Sequence, residues 1–172
     1  MLRKITVVCL ILICFLLESS VFGHFAMAGI VPKLMIILTS SFGFMRGEEE
    51  GMMIGFLCGL ISDVFFGDVL GFYALIYTYI GYTNGKFSRI FYPEDIKLPI
   101  ALIIVSDLSC GVVCYILLFL LRGKFDFLYY FRGVILPEAL YTIIVTVFLY
   151  PAILKINQLL EKREKGSVQK FV

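Results

Sequence analysis

Six long apolar segments, joined by short polar connections, constrain the fold of this chain more than any other feature of its sequence. A bilayer core takes about 20 apolar residues per spanning helix. Hydrophobic residues make up 60% of the 172-residue chain and charged residues 16%, whereas soluble domains have about 45–50% and 25%. A soluble fold of this size has too little interior to bury so much apolar surface, so a bilayer is the expected surrounding.

Helices are the expected form of these segments, because lipid offers no hydrogen-bond partner to free backbone groups. A membrane β-barrel would alternate polar and apolar residues, and these segments do not. The sequence therefore predicts an all-α integral membrane protein, a six-helix transmembrane bundle that forms a single domain. The second to fourth segments are short, so they either include flanking residues or thin the bilayer. The predicted spans are approximately 5–22, 30–44, 51–66, 70–87, 98–121 and 134–154.

The basic residues are divided unevenly between the two sides of such a bundle. With a cytoplasmic N-terminus and six spans, eleven of the 15 lie inside, and the remaining four lie outside. Cytoplasmic loops of membrane proteins carry an excess of Lys and Arg. The sequence therefore predicts that both termini are cytoplasmic and that residues 155–172 form a short basic tail. The four outside residues are Lys33, Arg122, Lys124 and Arg132.

The N-terminal segment has two possible interpretations. Arg3 and Lys4, the apolar stretch and then Ala26-Met27-Ala28 resemble a cleavable signal peptide. The stretch is long for a signal peptide, however, and it contains Glu18. We therefore favour an uncleaved first helix; cleavage would leave five spans and would not change the orientation of the others.

The third span has a glycine at every fourth position. Gly47, Gly51, Gly55 and Gly59 follow one another at this spacing, and Asp63 continues the register. Residues four apart lie on one face of a helix, and a face without side chains lets another helix approach closely. We predict that these four glycines pack helices together, within the molecule in preference to between molecules.

Four acidic residues lie within the spans or at their ends, where an isolated ionised carboxylate is costly. The predicted topology places three of them in the outer half of the membrane and Asp107 near its middle. This convergence predicts a polar cavity that opens to the outside, with a turn of the chain beside it. Internal hydrogen bonding or partner contact is favoured over catalysis as its role. The predicted cavity or partner-contact residues are Glu18, Asp63, Asp68, Gly71, Asp107 and Glu138.

The sequence gives little support for catalysis. It has no phosphate-binding Gly-Lys-Ser/Thr loop, no H-E-x-x-H motif and no nucleophile placed beside a base. The five cysteines lie in apolar runs without a C-x-x-C pair, and His24 is the single histidine. We predict no catalytic residue, no cofactor and no metal site. An intramembrane hydrolase that uses Asp63 and Asp107 is the weaker alternative.

Several motifs recur in a fixed order along the chain. Pro32-Lys33-Leu34 opens the second span, Gly59-Leu60-Ile61-Ser62-Asp63 lies in the third, and Leu70-Gly71-Phe72-Tyr73-Ala74-Leu75 opens the fourth. Leu136-Pro137-Glu138-Ala139-Leu140 and Tyr150-Pro151 lie in the last span. In order and spacing, these motifs resemble the family of the rod shape-determining protein MreD over nearly the whole chain. The family more often has Asn or Asp at the position of the lysine in the first motif.

The resemblance implies a non-enzymatic, multi-pass component of the bacterial cell-wall elongation machinery in the cytoplasmic (inner) membrane. Members of the family bind the single-span protein MreC and act with the MreB filament, RodA and a penicillin-binding transpeptidase. The family also resembles, in fold, the six-helix substrate-binding components of energy-coupling-factor transporters, which bind vitamins in an outward-facing pocket. A small-molecule transporter component is therefore the second functional hypothesis.

Overall fold

The computed structural model describes residues 2–22, 31–67, 69–88, 97–117 and 127–168. These ranges form helices joined by short turns and contain no strand, so the predicted all-helical class is confirmed. In chain order the elements are α1 (Leu2–Leu16) with the π-helical segment Leu17–Phe22, α2 (Leu34–Arg46), α3 (Glu48–Phe66), α4 (Phe72–Phe87), α5 (Lys97–Tyr115), α6 (Phe127–Tyr130), the π-helical segment Phe131–Ile135 and α7 (Leu136–Val168). Wider π-helical segments follow α1, follow α5 at residues 116–117 and precede α7.

Helix α2 is the centre of the bundle. Every residue from Leu34 to Phe44 is buried, and α2 contacts α1, α3, α4, α5 and α7. A helix that is apolar on most sides lies in a protein core or spans a membrane, and here other helices cover it. Its 13 residues extend about 20 Å at 1.5 Å per residue. The shortness of the predicted second span is therefore explained by its central place, where other helices surround it.

Contacts between helix ends show that successive helices run in opposite directions. The carboxylate of Glu18, just after α1, accepts the backbone N–H of Met35 at the start of α2 (3.2 Å). Arg3, near the start of α1, forms an ion pair with Glu50 at the start of α3. The chain therefore crosses the bundle along α1, returns along α2 and crosses again along α3.

Helices α2 and α7 run in the same direction. Lys33, immediately before α2, forms an ion pair with Glu138 at the start of α7. At the other end of the bundle, Arg46 Nε donates a hydrogen bond to Asn157 Oδ1 (2.7 Å). We refer to these two ends as the Lys33 end and the Arg46 end.

Helix α7 has its polar face inside and its apolar face outside. Thr142, Thr146 and Asn157 are buried, whereas Leu140 and Phe148 are 55% and 77% exposed. This arrangement suits lipid, because helices in a membrane bury small and polar residues between them. α7 also continues through Pro151 to Val168, beyond the predicted end of the last span at residue 154, so the described part of the predicted tail is helical.

Among the described helices, Lys97–Tyr115 and Leu128–Lys162 are long and apolar enough to cross a membrane. Ile5–Ser20 and Leu34–Arg46 are shorter apolar helices. Helix α4 has 16 residues, and α3 begins with three glutamates. Length and composition alone therefore identify two candidate spans and leave the six-span arrangement as a prediction.

Candidate functional site

Helices α3 and α4 touch backbone to backbone along the predicted glycine face. A Cβ added to Gly51 would lie 2.5 Å from the carbonyl oxygen of Gly81. A Cβ on Gly55 would collide with the backbone of Tyr77, and one on Gly59 with the backbone of Ala74. Backbone atoms cannot move aside as a flexible side chain can. These three glycines therefore face a helix of the same molecule.

Gly47 lies at the edge of this contact, because a Cβ on Gly85 of α4 would lie 2.6 Å from the carbonyl carbon of Gly47. Helix α3 begins at Glu48, so Gly47 forms the junction between α2 and α3. Its φ of +93° is in the left-handed region, and a Cβ there would meet nothing within 4 Å. Gly47 therefore provides a turn, which glycine adopts without the steric penalty that other residues have, and its predicted role in helix packing stays a prediction.

Glycines on α4 complete the contact and were not singled out from the sequence. A Cβ on Gly81 would collide with the backbone of Gly51, and one on Gly85 would lie 2.5 Å from the Cα of Glu48. Their four-residue spacing in the sequence was the available signal. Glycines on both helices therefore allow the close approach.

Asp63 connects the end of α3 to the start of α4. Its carboxylate accepts three backbone N–H groups, from Gly71 (3.0 Å), Tyr73 (2.8 Å) and Ala74 (2.9 Å). The first N–H groups of a helix have no partner within the helix, and their dipole favours a negative charge. Asp63 is 2% exposed. It therefore caps α4, and the prediction that it lines the cavity is wrong.

The turn after Asp63 also differs from the predicted cavity wall. Gly71 has a φ of +97°, accepts the backbone N–H of Leu75 (3.0 Å) and does not line the cavity. Its contribution is the left-handed backbone from which α4 begins. Asp68, the other predicted residue of this turn, lies outside the described residues.

A cavity of about 320 Å³ lies at the Lys33 end of the bundle. Glu18 and Glu138, two of the acidic residues for which the sequence predicts an outward cavity, line it. Ser19 and Phe66 also line it and are exposed, so the cavity opens to the surface. The other lining residues are Val31, Lys33, Ser62, Tyr73, Tyr77 and Val134.

Lys33 lines the cavity and is not among the residues predicted from the sequence to form it. Its Nζ lies 3.1 Å from Oε1 of Glu138, and the two side chains are 17% and 15% exposed. Lys33 also interacts electrostatically with Asp107. The predicted topology counts Lys33 only among the basic residues on the outer side of the membrane. The signal was its occurrence in a motif where the family usually has Asn or Asp, together with acidic residues that need a counter-ion.

Asp107 does not line the cavity. It is 3% exposed and faces Thr142 of α7. Oδ1 of Asp107 and Oγ1 of Thr142 are both buried and lack a hydrogen bond of good geometry. Asp107 thus has partners different from those of Asp63, whose carboxylate is held by the α4 backbone. The structure does not bring these two carboxylates to a common partner, which the hydrolase alternative requires.

The cysteines and other potential ligands form no metal centre in the described residues. Cys110 Sγ and Cys114 Sγ are 4.0 Å apart on consecutive turns of α5. Within the described ranges, no three His, Cys, Asp or Glu side chains are grouped so that they could hold a metal ion.

Comparison with known proteins adds an independent finding. Residues 1–160 match the family model of the rod shape-determining protein MreD. No curated protein and no solved structure matches the chain, so no solved structure supports the expected likeness to transporter components. The matched range contains the capping residue Asp63, the glycine contact and the cavity. This chain belongs to the family of the rod shape-determining protein MreD and has a role in determining rod shape.

Proposed function

We propose that this protein is a non-enzymatic scaffold of the cell-wall elongation machinery, which binds MreC and links MreB with RodA and its transpeptidase. The observation that carries this proposal is the family match over residues 1–160. The family-like motifs of α3 and α4 support a structural role, because they build a close helix pair. Asp63 at the end of α3 caps α4, and Gly59 of α3 packs against the α4 backbone.

We further propose that the bundle spans the bacterial inner membrane six times with both termini in the cytoplasm. The alternation of helix direction supports this topology, since it places Arg3 and Arg46 at one end of the bundle. Glu18 and Glu138 lie at the other end, around the cavity. In this topology the cavity opens to the outer face of the membrane.

We infer that the outer cavity contacts a segment of MreC. Its mouth carries the exposed Ser19 and Phe66, and its wall carries the Lys33–Glu138 ion pair. Helix α7 also has exposed apolar residues, such as Leu140 and Phe148. In this topology they form a surface that faces lipid. The glycines of α3 are excluded as the contact, because α4 already covers them.

The test is complementation in a rod-shaped bacterium depleted of its own MreD, with this chain and MreC from the same source. We expect the full chain to restore rod shape, measured as the ratio of cell length to width, and to co-purify with tagged MreC. Ser19→Trp should reduce capture of MreC, because Ser19 is exposed at the cavity. Phe148→Leu, which changes an exposed position on α7, is the control.

Failure to restore rod shape or to capture MreC, with the chain present in the membrane at normal amount, would contradict the scaffold role. Capture of MreC that is unchanged in Ser19→Trp but lost in Phe148→Leu would contradict the cavity contact and favour α7.

A small-molecule transporter component is the second candidate, and the cavity is the observation that favours it. Its volume of about 320 Å³ is at the lower end of the range of small-molecule pockets, about 300–1,000 Å³. This candidate includes an energy-coupling-factor-like six-helix fold. Thermal-shift screening of the purified chain against vitamins and metal ions distinguishes the two. Nanomolar binding of a vitamin would favour the transporter component.

A further inference from the structure

The cavity has more acidic than basic groups around it. Glu18 and Glu138 line it with Lys33. Lys33 is 3.1 Å from Glu138 and also interacts electrostatically with Glu18 and with Asp107, which does not line the cavity. Among the described residues, one ammonium group thus compensates three carboxylates, two of which line the cavity. Carboxylates taken out of water are stable when a cation or hydrogen bonds compensate them.

Glu18 is the carboxylate with capacity left for a ligand. Its Oε2 accepts the backbone N–H of Met35 at 3.2 Å, a long hydrogen bond, and the backbone N–H of Leu34 also interacts with this carboxylate. An ionised carboxylate has about four acceptor positions. Because Glu18 also lines the cavity, a donor that enters the cavity can reach this carboxylate.

Aromatic rings form part of the same wall. Phe66, Tyr73 and Tyr77 all line the cavity. The faces of aromatic rings attract organic cations and cover apolar bodies. A carboxylate beside aromatic rings therefore has the chemistry that recognises an ammonium or guanidinium group on an apolar body.

Two π-helical segments contribute residues to this wall, which is a separate observation. Leu17–Phe22 contributes Glu18 and Ser19, and Phe131–Ile135 contributes Val134 just before Glu138. π-Helical turns are rare and occur frequently at functional sites. Here they occur in the two segments that carry the cavity's carboxylates or directly precede them.

We propose that the cavity binds an organic monocation, with its ammonium or guanidinium group at Glu18 and its apolar body against Phe66, Tyr73 and Tyr77. The inference concerns the ligand chemistry of the cavity and does not depend on binding of MreC. Loss of MreC capture with intact cation binding would therefore overturn the proposed function alone. Intact MreC capture without cation binding would overturn this inference alone.

The experiment uses the purified full chain in detergent and three probes of similar shape: phenethylammonium, 2-phenylethanol and 3-phenylpropionate. Binding is measured as the concentration-dependent rise in Tm. We expect the ammonium probe to raise Tm and the neutral and anionic probes to have little effect. Glu18→Gln keeps an acceptor for Met35 but removes the charge, so we expect the apparent Kd of the ammonium probe to rise about tenfold, a change of 1.4 kcal/mol.

Glu49→Gln is the matched control, because it removes the same charge at an exposed position at the start of α3. It should bind the ammonium probe as the unchanged chain does. Phe66→Leu, at a position that is 55% exposed, tests the aromatic wall without requiring a buried change, and it should also weaken binding. This variant keeps the proposal testable if Glu18→Gln fails to fold.

A protein segment with a basic side chain has the same ligand chemistry as a free amine. A capped Gly-Lys-Gly tripeptide and its norleucine counterpart form the second arm of the experiment. Tighter binding of the lysine peptide than of phenethylammonium would assign the cation to a protein segment, and the opposite order would assign it to a small molecule. Equal binding of all probes, preference for the anion, or unchanged binding in both Glu18→Gln and Phe66→Leu would overturn the proposal.

Discussion

Nζ of Lys33 lies 3.1 Å from Oε1 of Glu138, and this ion pair joins the start of α2 to the start of α7. Residues separated by more than 100 positions in the chain thus meet beside the first turn of α2, the central helix. The pair holds α7 against the core and neutralises one of the acidic groups around the cavity. Stability and ligand chemistry are therefore linked at the Lys33 end of the bundle.

Removal of one partner of this pair should destabilise the bundle. Glu138→Leu leaves the partly buried ammonium of Lys33 without its nearest counter-ion, and we expect a cost below the about 3–5 kcal/mol of a fully buried pair. The free energy of unfolding in mixed detergent micelles, followed by far-UV circular dichroism, measures this effect. The double variant Lys33→Met, Glu138→Leu should recover part of the loss, because it leaves neither of the paired charges. A double variant less stable than Glu138→Leu would contradict this account.

Loss of the Asp63 carboxylate should weaken the connection between α3 and α4. Asp63→Ala leaves the N–H groups of Gly71, Tyr73 and Ala74 without their acceptor, and loss of a helix cap costs about 0.5–2 kcal/mol. Asp63→Asn should cost less, because it keeps one acceptor oxygen. Thermal unfolding of both variants tests the order, with the exposed Glu49→Gln as the control. Equal stability of Asp63→Ala and the control would show that the cap is unimportant.

A methyl group at Gly59 should force α3 and α4 apart. In Gly59→Ala the new Cβ would collide with the backbone of Ala74, and such overpacking typically costs about 1–3 kcal/mol. Gly133→Ala is the matched control, since a Cβ there meets nothing within 4 Å. The midpoints of unfolding in detergent provide the comparison. Similar midpoints for the two variants would mean that the helices separate without cost.

A substitution at Gly71 should act through the backbone and not through packing. A Cβ there meets nothing within 4 Å, but the φ of +97° is unfavourable for other residues. We expect Gly71→Ala to cost about 1–2 kcal/mol, the penalty of a left-handed conformation. Gly71→Asn should cost less, because Asn tolerates positive φ better. The same unfolding assay measures both, and an equal loss for Asn and Ala would argue against backbone strain.

The local patterns of the sequence predicted several features that depend on neighbouring residues alone. The four-residue spacing of Gly51, Gly55 and Gly59 predicted a close helix face, because helix periodicity fixes which residues share a side. The same spacing did not reveal that Gly47 lies outside the helix. The first residue of α3 depends on the turn that joins α3 to α2, and the glycine spacing does not specify that turn.

The acidic residues show the limit of sequence patterns most clearly. Glu18, Asp63, Asp107 and Glu138 were grouped as one cavity, but Glu18 and Glu138 line it, Asp63 caps α4 and Asp107 faces Thr142. Hydropathy and charge locate such residues along the span axis. They do not give the direction in which each side chain points, because that depends on how the helices pack.

The sequence by itself determined the helical class, the apolar segments and the family, since these follow from composition, periodicity and the order of motifs. Only the tertiary structure decided that α2 is the buried centre, that Lys33 is the counter-ion of Glu138 and that Asp63 caps a helix. The physical reason is distance. Ion pairs, caps and cavity walls join residues that are far apart in the chain, and packing of the helices alone brings them within reach.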